Sequence, residues 1–219
     1  MFVLSCEPAT CAIPEWHKEL FRGHEETVTS EEGWSPGSLN LAQAFATKLR
    51  ALLAHGDITR LLVDFSLRPD DPKRFSRFSA TLNEDHKRKL DERHHQAHIK
   101  LLSQRIEEDL RHGGPVIHLS IRTNPRPDAP LVEFVQDPSR DTETTFVRKW
   151  TDALRAAAPE LKFAVASDPN YGLSSVLREA FPENFGSVSV VAAQSSFLEG
   201  KPLRWDKLKK LLLDALPQT

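Results

Sequence analysis

Several groupings in this sequence combine side-chain types and spacings that chemistry uses. His94 and His98 lie four residues apart in a helical stretch, with His95 beside them. Such a pair can share one helix face as metal ligands do, although no third ligand or base accompanies it, and planar packing side chains are the ordinary reading. Cys6, Glu7 and Cys11, with His17 or His24, offer thiol, carboxylate and imidazole donors. Cys-x4-Cys is at the loose end of zinc spacing, and small-residue packing under a first loop is the plainer role. Ser5, His118 and Ser120 have the types of a nucleophile and its base. Two residues of extended chain hold the backbones of His118 and Ser120 roughly 6.5 Å apart, which makes a poor direct pair. Glu7 and Asp64 are acids suited to accept loop N–H groups or to pair with Arg60, Arg68 or Arg122.

Alternating elements must position these residues. Phe2 to Ser5 reads as a buried strand and Pro14 to Phe21 as a helix. In Pro36 to Ala54, Leu39, Ala42, Phe45, Ala46, Leu49 and Leu53 recur at helical spacing. Ile58 to Phe65 is mostly apolar and reads as a strand, followed by a loop from Arg68 to Arg74. Asn83 to Arg111 is the longest helical segment, with Leu90, His94, Ala97, Leu101, Leu102, Ile106 and Leu110 on one side. Gly113-Gly114 ends it, and Pro115 to Ile121 reads as a central strand. Three prolines make residues 124–130 a loop. Leu131 to Val135, Leu161 to Ala166 and Ser187 to Ala193 are further strands. Helices run from Asp137-Pro138 to Ala157, from Leu173 to Phe181 and from Leu203 to Leu216. This alternation predicts an α/β fold, a three-layer sandwich with a mostly parallel or mixed central sheet and helices on both faces.

A chain of 219 residues can bury one substantial core, so a single domain over 1–219 is expected. A net charge of -2 gives no reason to expect nucleic acid or anionic lipid as a partner. Basic residues between Lys73 and Arg93 are interleaved with acids, as on a solvated helix face. No run approaches the roughly 18 apolar residues of a membrane span, and Met1-Phe2-Val3-Leu4 is too short for a signal segment. Two cysteines make no disulfide framework, so reduced thiols and a cytoplasmic location are expected. Core packing is the default for Trp16, Trp34, Trp150 and Trp205.

Read in order, several segments resemble the N-formylglutamate amidohydrolase family, in particular its shorter bacterial members. They are Val3-Leu4-Ser5-Cys6-Glu7, Ala12-Ile13-Pro14, Gly33-Trp34-Ser35-Pro36-Gly37, Thr59-Arg60-Leu61-Leu62-Val63-Asp64, Phe75-Ser76, Val116-Ile117-His118-Leu119-Ser120, Gly172-Leu173 and Phe181-Pro182. The resemblance runs from Phe2 to Gln194. It implies a zinc-carboxypeptidase-like sandwich that hydrolyses N-acyl amino acids. In such an enzyme zinc polarises the amide carbonyl and lowers the pKa of a bound water to about 7, and a carboxylate carries the proton to the leaving nitrogen.

The same resemblance marks departures. Pro8 stands where the family has a metal-ligand His, Ser35 where it usually has Asp, and Phe65-Ser66-Leu67 where it reads hydrophobic-Asn-Arg. Arg122 corresponds to a second metal His and Val191 to the acidic residue. The resemblance therefore implies a cleft still bordered by Glu7, Asp64, Arg68, His98, His118, Arg122 and Gln194 as substrate-binding residues, with no catalytic residue and no metal ligand assigned. Two functional classes follow. One is a catalytically silent member, without cofactor, that binds a small acidic metabolite or a protein partner. The other is an active, zinc-dependent amidohydrolase with ligands from unexpected positions such as His94 and His98. A structural subunit paired with an active paralogue is a third reading.

Overall fold

The computed structural model describes residues 1–170, 172–197 and 202–218. A six-stranded sheet forms from β1 (Phe2–Cys6), β2 (Leu53–His55), β3 (Val116–Asn124), β4 (Val132–Gln136), β5 (Phe163–Ser167) and β6 (Phe185–Ala193), in the order β2-β1-β3-β6-β4-β5. The pairs from β2 to β6 are parallel, β4 runs antiparallel to β6, and β5 is parallel to β4. The sheet is mixed, with one reversal, as the sequence predicts.

Helices cover both faces. Leu41, Ala42 and Phe45 of α2 (Ser38–Leu49), Phe146, Val147, Trp150 and Leu154 of α5 (Asp141–Ala157), and Trp205, Leu208 and Leu212 of α7 (Pro202–Asp214) pack on Leu4, Ile117, Leu119, Ile121, Phe134, Val188 and Val190. Trp150 sits at the centre, its ring 4.9 Å from Phe134, 5.5 Å from Phe146 and 5.9 Å from Phe45. The opposite face meets Leu102 and Ile106 of α4 (Gln96–Arg111) and Leu173 and Leu177 of α6 (Gly172–Ala180). These are the three layers of a sandwich. A short α1 (Glu25–Thr29) and α3 (Glu84–Leu90) frame a side cluster of Phe21, Val28, Phe65, Phe78 and Leu90.

Three sequence expectations change. The helix expected to reach Ala54 stops at Leu49, where Arg50 turns left-handed (φ 50°), and Leu53–His55 pairs with Leu4–Cys6 as the edge strand. The run Ile58 to Phe65 is not a strand but a set of turns. Its N–H groups bond to scattered loop carbonyls: Thr59 to Ala12, Arg60 to Gly33 and Asp64 to Arg74. Its apolar side chains enter the side cluster instead of the sheet, an outcome that a short apolar run alone cannot distinguish from a strand. Trp16, expected in the core, is 70% exposed.

The long helix over 83–111 forms with an irregularity. Between α3 and α4, Asp91–His95 makes a π turn, which takes one more residue per turn than the α-helix around it. Asn83 caps its start by accepting from the His86 N–H, and Lys87, Arg88 and Lys89 pair with Glu84, Asp85 and Glu92, so the mixed-charge stretch is a salt-bridged helix face. Among the described residues no helix is long and apolar enough to cross a membrane.

Candidate functional site

Because strand side chains alternate, Ser5, His118, Ser120, Arg122, Ser187 and Ser189 all project from the face that α4 and α6 cover. Register brings them side by side: Ser5 opposite Ser120, His118 opposite Ser187, and Ser120 opposite Ser189. Glu7, just past the end of β1, lies on the same side and is buried. Its carboxylate accepts from the Ser5 hydroxyl, from Ser120 Oγ at 2.8 Å and from Arg122 Nη2 at 3.2 Å. His98 Nε2, from α4, faces it at 3.8 Å, and the His98 ring stacks on Phe65 with centroids 5.4 Å apart.

His118 joins this group to α6. Its Nε2 lies 2.8 Å from Ser5 Oγ, its Nδ1 lies 2.8 Å from Ser187 Oγ, and Ser187 Oγ is 2.9 Å from Ser174 Oγ. Proton counting fixes the direction. An ionised carboxylate only accepts, so Ser5 gives its one proton to Glu7 and must receive from His118 Nε2–H. Nδ1 then accepts from Ser187, which receives in turn from Ser174. The result is a one-way chain from Ser174 to Glu7.

Electrostatics set the charge states of Glu7 and His118 in that chain. Burial alone would raise the Glu7 carboxyl, but the facing His98 imidazole and the Arg122 guanidinium outweigh it and hold the acid well below the usual carboxylate range. Burial pushes His118 down to about 4, so its imidazole is neutral at pH 7. Arg122 itself, largely buried, also reaches Ser120 Oγ through Nε at 3.3 Å.

Above Glu7 the strand ends open into a cleft of about 460 Å³. Pro8, Ser35, Arg122 and Val191, four of the five positions singled out by sequence, line it together. Arg60 enters from the turn segment and donates to Ser35 Oγ at 2.7 Å. Glu133 of β4 and Asp168 after β5 stand on the far wall.

The remaining sequence candidates are engaged elsewhere. Asp64 accepts from the N–H and hydroxyl of Ser66, closing its own turn, because a short acid there bonds its backbone two residues on. Arg68 pairs with Glu179 at 2.6 Å and Asp70 at 3.1 Å on the surface. The fifth position, Leu67, offers its carbonyl to His95 Nε2 at 3.0 Å. Gln194 is buried beside the cleft and donates to Thr123 Oγ1 at 3.2 Å. His94 turns to Asp57 at 2.9 Å while His98 turns to Glu7, because the π turn containing His94 takes it out of phase with α4. Cys6 faces the apolar layer and bonds Ser38, and burial pushes its thiol up to about 12. Cys11 packs on the side cluster, and His24 meets the Phe78 ring at 5.1 Å, so these donors do not converge.

Zinc does not fit this arrangement. Arg122 puts a permanent cation against the Glu7 carboxylate, Pro8 and Val191 carry no donor atom, and both nitrogens of His118 are in use. Among the described residues no three His, Cys, Asp or Glu side chains are grouped to hold a metal.

Ser174, Ser187, Glu133 and Asp168 are site residues that sequence reasoning passed over, and Arg60 entered it only as a partner for acids. Two signals were present: Ser187-Val188-Ser189-Val190 and His118-Leu119-Ser120-Ile121-Arg122 alternate polar and apolar with period two, which marks one polar strand face.

No family model and no curated protein matches the sequence. Among solved structures, a gene product of Agrobacterium tumefaciens aligns over 98% of this chain and 88% of its own, with TM-score 0.76 and 19% identity. N-formylglutamate amidohydrolase from Ralstonia eutropha aligns over 96% of this chain and 91% of its own, with TM-score 0.65 and 18% identity. The fold implied by the sequence resemblance is thus present: the chain is folded as N-formylglutamate amidohydrolase is folded.

Proposed function

We propose that this protein is a catalytically silent member of the N-formylglutamate amidohydrolase family that binds a small carboxylate in the cleft above Glu7. The observation that carries this reading is the Arg122–Glu7 contact at the base of that cleft. It supports silence because a guanidinium, whose charge no proton equilibrium removes, stands at the position that the family resemblance gives to a metal ligand and holds the Glu7 carboxylate. Hydrolysis by that route would need a Lewis acid and its water. Arg60, held by Ser35, adds a second guanidinium to the same wall. Planar forked donors suit a carboxylate. The acid and the imidazole nearest Arg122 are both engaged: Glu7 accepts from Ser5, Ser120 and Arg122, and His118 lies within the buried chain.

The test has two parts. Elemental mass spectrometry of the purified protein should find zinc far below one ion per chain, and stoichiometric zinc surviving dialysis would refute silence. In a panel of small carboxylates that includes propionate, L-glutamate and N-formyl-L-glutamate, at least one should raise the melting temperature, none should be consumed, and Arg60→Gln should remove the shift. Turnover of N-formyl-L-glutamate, or no shift with any of these compounds, overturns the proposal.

A further inference from the structure

The cleft carries both signs of charge, and the sheet sets their spacing. Arg122 of β3 is opposite Val191 of β6, and Val191 is opposite Glu133 of β4. The three side chains therefore rise from one face in a row. With neighbouring strands about 4.8 Å apart, the Arg122 and Glu133 backbones stand roughly 10 Å apart. Val191 lies between them, flanked by Val135 and Ala166, as an apolar floor. Arg60 stands on the Arg122 side, next to Ser35, while Asp168 follows β5 on the Glu133 side.

Neither acid is neutralised within the fold: no side-chain hydrogen bond or ion pair ties the Glu133 or Asp168 carboxylate to another described residue. A ligand with a carboxylate alone would satisfy one wall and leave two negative groups facing its other end. An acyl group on the ligand's nitrogen would worsen the match, since its carbonyl oxygen can only accept. An ammonium group offers three donors and a positive charge to that wall.

Building on the carboxylate reading above, we infer that the cleft takes a zwitterion, a free amino acid or short peptide. Its carboxylate lies against Arg60 and Arg122 and its ammonium against Glu133 and Asp168. Discrimination against N-acylated forms then comes from repulsion at the acidic wall as much as from attraction.

The experiment compares the common free amino acids and dialanine with their N-acetyl derivatives on the full chain, by thermal shift followed by titration calorimetry. At least one free form should bind about tenfold or more tighter than its N-acetyl partner. Glu133→Gln, an isosteric change at a partly buried side chain, should bring the two within about twofold while retaining binding of the carboxylate end. N-acetyl forms binding as tightly as free ones would overturn the inference and leave carboxylate binding standing. Discrimination that survives Glu133→Gln would overturn it as well. If no compound binds, both this inference and the carboxylate reading fall.

Discussion

On one face of the sheet, Leu4, Ile117, Leu119, Ile121, Val188 and Val190 meet α2, α5 and α7; on the other, Ser5, His118, Ser120, Ser187 and Ser189 lie equally buried near α4 and α6. The strands are the same and so is the depth, but the sources of stability differ. The apolar face gains from area removed from water, a non-directional effect that tolerates small adjustments. The polar face gains little from burial as such and depends on each donor finding its acceptor. Parallel strands covered on both sides usually read as unbroken apolar runs. Here the period-two pattern marks a buried hydrogen-bonded array where the same pattern would ordinarily mark solvent.

The largest effect should come from the apolar side. Trp150→Ala removes the ring that joins Phe45, Phe134 and Phe146 and the N–H that caps the Leu212 carbonyl, and should cost about 3–5 kcal/mol in urea denaturation. A loss under about 1 kcal/mol would show that this face is not the main apolar support.

Acid should next separate the faces. His118 titrates near 4 in the fold against an ordinary 6.5, so between those values the unfolded chain holds the extra proton. Stability is therefore complete above about pH 6.5 and falls as pH drops toward 4, by about 2 kcal/mol from pH 7 to 5. Glu7 acts with the same sign at lower pH, since its ordinary value is 4.5 and its folded value lies well beneath. His118→Gln should reduce the slope between pH 7 and 5 to the part that His17 and His95, both also lowered by burial, contribute with the same sign, and an unchanged slope would mean that His118 does not carry it.

The smallest effects should grade the polar face itself. Ser187→Ala interrupts the chain between Ser174 and His118 and should cost about 1–2 kcal/mol. Ser189, equally buried one row away, has a hydroxyl without a hydrogen-bond partner, so Ser189→Ala should change stability by less than about 0.5 kcal/mol. Equal losses at the two serines would mean that burial, and not the directed chain, sets the cost.

Much of this arrangement was legible in the sequence because it is local. The central strands, α5 and the closing helix follow from periodicity, and Pro8, Ser35, Arg122 and Val191, which the resemblance singles out, line one cleft. What was missed depends on distant partners. β2 is three residues long and exists only because β1 lies beside it. Ile58 to Phe65 has a strand's composition, but Thr59 bonding to Gly33 and Asp64 closing on Ser66 fold it into turns. Glu133 comes into line with Arg122 only through the register of β3, β6 and β4, which no local pattern encodes.

The π turn at Asp91–His95 works as a phase shifter. Upstream of it Leu90 faces the side cluster, and downstream His98 lies on Phe65 and faces Glu7. An α-helix advances by about 100° per residue, so one residue fewer here would leave Leu90 and His98 unable to meet their surroundings together. Glu92 and Arg93 within the turn are exposed, and their identities matter little to either contact. What those two residues contribute to the phase is their number.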